Sequence, residues 1–457
     1  MGKLGEVLTH PHEFMPLMRM AFAAHAATKL PKEPGLAFCY DMLNNVSRSF
    51  AVVIQQLPQP LRDAICVFYL VLRGLDTVED DMALDDAVKL PSLLSFHQDI
   101  YKRGFTMDCG YKHYKRLMNQ FDIVVDVFLV LEAPFQDVIA DITRRMGEGM
   151  HEYIVKDVVT IEDYNKYCHY VAGLVGIGLS QLFASSGLEA AEIGTQEGLA
   201  NHMGLFLQKT NIIRDYLEDI LEEPAPRMFW PKEIWGMYGK SLADFKEPSK
   251  REAALRCLNH MIVNALQHMP YSVQYMEQLN NPSVFRFCAI PQIMAAGTLG
   301  MCYNNGRVFE GVVKMRRGQT ATVFDSCSDM GDLLRWFTMF LDMLQAKVDS
   351  GVSPDDPTLS LARESVADNK AMCARALAQW RGANPSTTLA SLSHDLAHVA
   401  GAGAYAYYSY GLGPSAGALP GPLAQWEWVV ADYRGVHQVL SALLLVAALL
   451  MAVFARR

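Results

Sequence analysis

Asp76-Thr77-Val78-Glu79-Asp80 and Asp215-Tyr216-Leu217-Glu218-Asp219 are two copies of one pattern, D-x-x-E-D, and they decide how the rest of the chain is read. On a helix, residues i, i+3 and i+4 share a face, so each copy aims three carboxylates in one direction. Like charges on one face repel unless a cation sits among them. Two such faces opposed across a cavity would hold Mg²⁺, which is bound by carboxylates together with substrate phosphates. The pattern predicts an enzyme acting on a diphosphate. One copy alone would carry little, because acidic runs usually mark a solvated helix face. Two copies, each beside an arginine and apolar helical flanks, are more specific.

Around the first copy, Tyr69, Arg73, Asp76 and Asp80 recur at spacings that align them on one face. Arg73 is expected to contact a diphosphate, with an ion pair to Asp76 or Asp80 as the alternative. Around the second, Gln208, Asn211, Asp215 and Asp219 share a face. The two amides would be costly in a plain core unless hydrogen-bonded. In Tyr164-Asn165-Lys166-Tyr167-Cys168-His169-Tyr170-Val171-Ala172-Gly173-Leu174-Val175-Gly176, small residues permit close helix packing or close approach of a large apolar ligand. Tyr170 could exchange a proton in a dry cavity, and core packing is its plainer reading. Lys314-Met315-Arg316-Arg317-Gly318-Gln319 places cations on a loop that either binds cofactor phosphates or is simply solvated. No G-x-G-x-x-G occurs, so no Rossmann site is implied.

Composition narrows the classes. The chain has 457 residues, 51% hydrophobic and 19% charged, enough to bury a large core. A net charge of −9 argues against a nucleic-acid partner. The nine cysteines form no C-x-x-C pair and are expected to be reduced thiols in a cytosol-facing protein. No signal-peptide pattern is read at the N-terminus. Residues 436–454 are apolar except for His437, Gln438 and Ser441, and Arg456 and Arg457 follow. As a helix they would span about 28 Å, close to a bilayer core. Trp426, Trp428 and Tyr433 just before them suit an interfacial belt. The organisation expected is a peripheral segment over 1–35, one all-α catalytic domain over 36–350, a polar and then Ala/Gly/Pro-rich linker over 351–425, and a transmembrane tail anchor over 436–454.

Taken together, Ser47-Arg48-Ser49-Phe50 and residues 76–81, 167–178, 204–219, 285–291 and 314–319 resemble the squalene synthase (farnesyl-diphosphate farnesyltransferase) family across roughly residues 36–345. The resemblance implies the all-α isoprenoid-synthase bundle around one central cavity. It implies head-to-head condensation of two farnesyl diphosphates to presqualene diphosphate, then reduction by NADPH to squalene. Asp76, Glu79, Asp80, Asp215 and Asp219 would hold Mg²⁺ on the diphosphate. Tyr170 is matched to the first half of the reaction and Phe287 to the second, where a π face steadies a cation without offering a nucleophile. Phe50 and Tyr69 would serve likewise, with Gln208 and Asn211 at the substrate. Arg48, Arg73, Arg214, Lys314 and Arg316 would contact NADPH. The family also implies a C-terminal anchor in the endoplasmic reticulum membrane, with the catalytic domain facing the cytosol; a monomer is expected. The competing expectations are an enzyme that stops at presqualene diphosphate or makes another hydrocarbon, a phytoene-synthase-like enzyme without reductant, and a catalytically silent membrane adaptor.

Overall fold

A computed structural model describes residues 10–27, 30–223, 226–350 and 356–384; the side chains of Pro11, Arg48 and Ser49 are outside that description, as are the linker beyond 384 and the expected anchor over 436–454. Among the described residues every regular element is a helix. By packing, the chain divides after Ala378, and the site described below lies in the first of the two units.

The helix Leu61–Asp80 shows how the sequence dictates the architecture. From Ala64 onward its residues are buried except Tyr69, Arg73, Asp76 and Asp80. These four form the stripe that the spacing predicts. The buried surface packs on Pro34–Val46, Phe121–Phe128 and Ala133–Tyr153. The polar stripe is left open on one side of an otherwise apolar rod, which fixes the direction in which the first acidic motif faces.

The helix Glu197–Arg214 is the central element, packed against Leu174–Ser185, Arg251–Leu266, Met269–Met276 and Pro282–Cys302. Small residues let it approach its partners closely. A Cβ on Gly204 would fall inside the Ala172 carbonyl, and one on Gly176 inside the Ala200 carbonyl. Neither backbone atom can step aside, so glycine is needed on both helices where they cross.

The rod Ile161–Ser185 contains a π-helical turn over His169–Gly173. Such turns add a residue to the helix and concentrate at functional sites. Here the turn faces Glu197–Arg214, with His169 Nδ1 2.8 Å from Asn201 Oδ1. This rod and Pro282–Cys302 are long and apolar enough to cross a membrane by composition alone. Both are packed into the body, and 78% of the apolar window of Pro282–Cys302 is buried.

At the N-terminal end, Phe14–Ala27 lies on Arg317–Ser326, tied by Arg19 Nη1 to Asp325 Oδ2 at 2.8 Å. After residue 350 the helix Leu359–Ala383 is tied to Met330–Ser350 by Lys370 Nζ and Asp342 Oδ1 at 2.7 Å. All nine cysteines are buried and none is in a disulfide.

Candidate active site

Asp76, Glu79 and Asp80 occupy the last turn of their helix, where the helix dipole is already negative. Three carboxylates there need compensation, and the fold supplies it from three directions. Lys89 Nζ donates to the Glu79 carbonyl at 3.1 Å. Arg73 Nη1 stands 3.3 Å from Asp76 Oδ2 and its Nη2 donates to the Tyr69 hydroxyl at 3.3 Å. Arg227 Nη2 donates to Glu79 Oε1 at 2.7 Å, and its Nη1 pairs with Asp80. Asp81, by contrast, accepts from the Gly110 and Ala83 amides and builds the turn that follows.

Compensation is incomplete. Burial pushes Asp76 up to about 6, opposed by Arg73 and reinforced by Asp80. Burial pushes Glu79 up to about 8 despite Arg227. A cluster that holds on to protons near neutrality still lacks positive charge.

The second motif departs from the single-helix expectation. Its helix ends at Arg214; Asp215 is the cap residue (φ −93°, ψ 12°), and Tyr216–Ile220 is a separate turn. The Asp219 amide still donates to the Asp215 carbonyl at 3.0 Å, so these two residues remain one turn apart. Arg214 grips the Asp215 carboxylate with two nitrogens, Nε donating to Oδ1 at 2.7 Å. Burial pushes Asp219 up to about 7, helped by Asp215, Glu222 and Glu218. Gln208 and Asn211 lie on the open side of the preceding helix, where Asn211 is exposed.

Arg227 joins the motifs. Its guanidinium holds Glu79 and Asp80, while its backbone amide donates to the Asp219 carbonyl at 3.1 Å. Sequence reasoning missed it. The available signal was an isolated cation a few residues after the second motif, in Arg227-Met228-Phe229-Trp230.

The structure places Tyr167 and Tyr170 in different surroundings. Tyr167 is buried, stacks on Phe229 with ring centroids 3.9 Å apart and planes at 7°, and has Glu79, Asp80 and Arg227 as electrostatic neighbours. Arg227 lies over the other partner of the stack, 5.8 Å from the Phe229 centroid. Burial drives the Tyr167 phenol well above its usual range and Glu79 adds to the push, so it is a neutral hydroxyl at physiological pH. Tyr170 turns elsewhere. Its ring covers Gly149, its hydroxyl donates to Glu152 at 3.3 Å, and Lys166 lies over its face. Two tyrosines three residues apart point within about 60° of each other on a helix, and spacing alone could not choose between them.

The other expected residues are dispersed. Phe50 is exposed and meets Tyr69 at 6.3 Å between centroids. Phe287 is buried against Phe183 at 6.0 Å. The expected NADPH contacts have different partners. Arg73 belongs to the first motif and Arg214 to Asp215. Arg316 Nη2 donates to the buried Glu13 at 2.6 Å. Arg48 has its side chain outside the described residues. Lys314 is exposed on a cavity of about 390 Å³ shared with Arg307 and Asn305. A neighbouring cavity of about 190 Å³ runs from Gly311 and Val312 to Arg214 and Asp215. The two cationic side chains of the larger cavity suit the phosphates of a dinucleotide.

The acidic donors are all carboxylate oxygens, the set that hard cations such as Mg²⁺ prefer. Among the described residues no three of them are gathered around one point; Arg227 takes up Glu79 and Asp80 instead. The donor chemistry fits the metal, with a resident cation in competition.

Comparison with known proteins identifies the family. The family described as squalene/phytoene synthase matches residues 43–319. The chain is 51% identical over 429 residues to squalene synthase LSS of Botryococcus braunii, covering 92% of each protein. It is 54% identical over 361 residues to squalene synthase 1 of Panax ginseng, covering 79% of this chain and 86% of that one. A solved complex of TcSQS with the ligand E5700 superposes with a TM-score of 0.73 at 44% identity, covering 75% of this chain and 99% of that one. These relatives do not favour the phytoene-synthase-like reading, the partial reaction or the silent adaptor. The protein is an enzyme that transfers prenyl groups, and the chain belongs to the squalene synthases of the squalene/phytoene synthase family, which condense farnesyl diphosphate to squalene.

Proposed function

We propose that this chain carries out both halves of the reaction, with Mg²⁺ held by Asp76, Glu79, Asp80, Asp215 and Asp219 and with NADPH bound beside residues 311–314. The observation that carries the reading is the meeting of both acidic motifs on Arg227. Bound Mg²⁺ would supply neutralisation of the diphosphate leaving group.

The chain's own residues do the rest. Gln208 and Asn211 present amides to the first substrate's diphosphate from the open face of the central helix. As its allylic C–O bond breaks, the electron pair leaves with diphosphate, and the farnesyl cation is attacked by the double bond of the second molecule. Loss of one proton closes the cyclopropane of presqualene diphosphate. The released diphosphate takes that proton, and the neutral Tyr167 phenol beside the first motif is placed to relay it, a role the family resemblance gives to Tyr170. Phe50 and Tyr69 offer π faces to the cation on the open side of the first helix, and Phe287 offers one in the second half. Apolar walls keep water from capturing the cation as an alcohol. NADPH would supply the hydride that ends the second half, its phosphates held by Lys314 and Arg307. Arg316 steadies that loop through Glu13.

Purified enzyme given farnesyl diphosphate, Mg²⁺ and NADPH is expected to yield squalene. Without NADPH, presqualene diphosphate should accumulate. Product analysis that finds no presqualene diphosphate under the second condition rules out the two-step reading.

The same proposal places the enzyme as a monomer in the endoplasmic reticulum membrane, held by residues 436–454 with its body facing the cytosol. The near absence of polar residues in that stretch supports it. Deleting residues 436–457 should move the protein from the membrane to the soluble fraction as a single chain in light scattering, with squalene formation retained. A truncated protein that stays with membranes refutes the anchor, and one that scatters as a dimer refutes the monomer.

A further inference from the structure

We infer that Arg227 is the resident counter-cation of the first acidic motif, that an incoming divalent metal must displace it, and that it thereby couples metal binding to diphosphate binding. The inference rests on the reading of Glu79 and Asp80 as metal ligands. Its basis is the geometry of one side chain. The guanidinium spans two different carboxylates, using Nη2 for Glu79 at 2.7 Å and Nη1 for Asp80. Glu79 is 7% exposed and Arg227 20%, so this pairing is poorly screened. An oxygen engaged by a guanidinium is not free for a metal, and a divalent ion brought beside Arg227 would be repelled by it. The two cations compete for one site.

What surrounds Arg227 determines what happens on displacement. Its amide is bound to the Asp219 carbonyl at 3.1 Å, and Phe229, two residues on, is fixed by its stack on Tyr167. The backbone is thus anchored on both sides while the side chain alone is released. A freed guanidinium stays beside both motifs and regains a partner only when an anion arrives there. Metal should therefore bind weakly to the free enzyme and more tightly once a diphosphate offers Arg227 a second partner. Linkage makes the effect reciprocal.

The test uses Mn²⁺ as a spin probe, titrated into the full enzyme alone and with inorganic pyrophosphate, with free Mn²⁺ read by electron paramagnetic resonance. In Arg227→Gln, Mn²⁺ alone should bind at least about fivefold more tightly than in wild type, the lower end of ordinary coupling. The tightening produced by pyrophosphate should shrink. Arg227→Lys keeps the charge but cannot bridge two carboxylates with a fork, and should fall between the two. If Arg227→Gln does not fold, as judged by circular dichroism, the Arg227→Lys titration decides. Unchanged or weaker binding of Mn²⁺ alone in the folded variant overturns the inference. Asp80→Asn separates this failure from a deeper one. Wild-type binding that disappears in Asp80→Asn while the Arg227 variants match wild type sinks the competition alone. Wild-type binding that persists in Asp80→Asn, or is absent even with pyrophosphate, sinks the ligand assignment beneath it.

Discussion

Asp80→Asn and Asp219→Asn should each stop the condensation while leaving the helices folded. Each removes one negative charge, at unchanged size, from the set proposed to hold Mg²⁺. Metal stabilisation of a leaving diphosphate contributes several kcal/mol, and each ~1.4 kcal/mol is a factor of ten in rate. Presqualene diphosphate formation should therefore fall by about 10³-fold or more. The two variants should differ in stability. Asp219 has its carboxyl raised from 3.8 to about 7 by burial and its acidic neighbours. Between those values the folded protein holds the proton more tightly than the unfolded chain, so metal-free stability falls as pH rises through that window. Above pH 7 the penalty is fully present, and Asp219→Asn escapes it. That variant should melt at a higher temperature than wild type at pH 8 without metal, although it is inactive. Asp80→Asn instead loses its ion pair with Arg227. Near-normal turnover in either variant removes the metal-cluster argument. A lowered melting temperature for Asp219→Asn would show that its charge is compensated in a way the described ion pairs do not account for.

Tyr167→Phe should lower presqualene diphosphate formation by about 10²–10⁴-fold, the usual worth of a positioned proton-transfer group. Tyr170→Phe should leave it close to the wild-type rate. The substitution at 167 keeps the ring on Phe229, so the stack and the backbone position of Arg227 survive. Only the hydroxyl beside Glu79 and Asp80 is lost. At 170 the loss is one 3.3 Å hydrogen bond to Glu152. Rapid-quench measurement of the first half-reaction, with melting curves for both variants, checks the pair. If Tyr170→Phe is the crippled enzyme, the proton-handling group has been misplaced.

These two residues show where reading a chain by periodicity stops. The open stripe of Tyr69, Arg73, Asp76 and Asp80 could be read from spacing, because one helix with a buried apolar surface has a single polar side and the period of 3.6 reveals it. The same rule ordered Gln208, Asn211, Asp215 and Asp219. It failed at the end of the central helix, where the chain breaks at Asp215, and it gave no ranking of Tyr167 and Tyr170 in a rod where a π-helical turn begins at His169. Local backbone departures of this kind are set by packing against neighbours. The basic loop illustrates a different limit: Arg316 looked as free as Lys314 until Phe14–Ala27 brought Glu13 to it from the other end of the chain.

The sequence by itself determined the helical class, the polar stripes that carry both acidic motifs, and the family with its chemistry. All of these depend on residue types at short spacings along the chain. Only the tertiary structure decided which cation meets those carboxylates, which tyrosine faces them, and which of the basic residues are already paired. Arg227 reaches Glu79 and Asp80 across nearly 150 positions of chain. No local pattern encodes such a contact; it exists because the fold brings the stretch after the second motif, held by the Arg227 amide on the Asp219 carbonyl, to the end of the first helix.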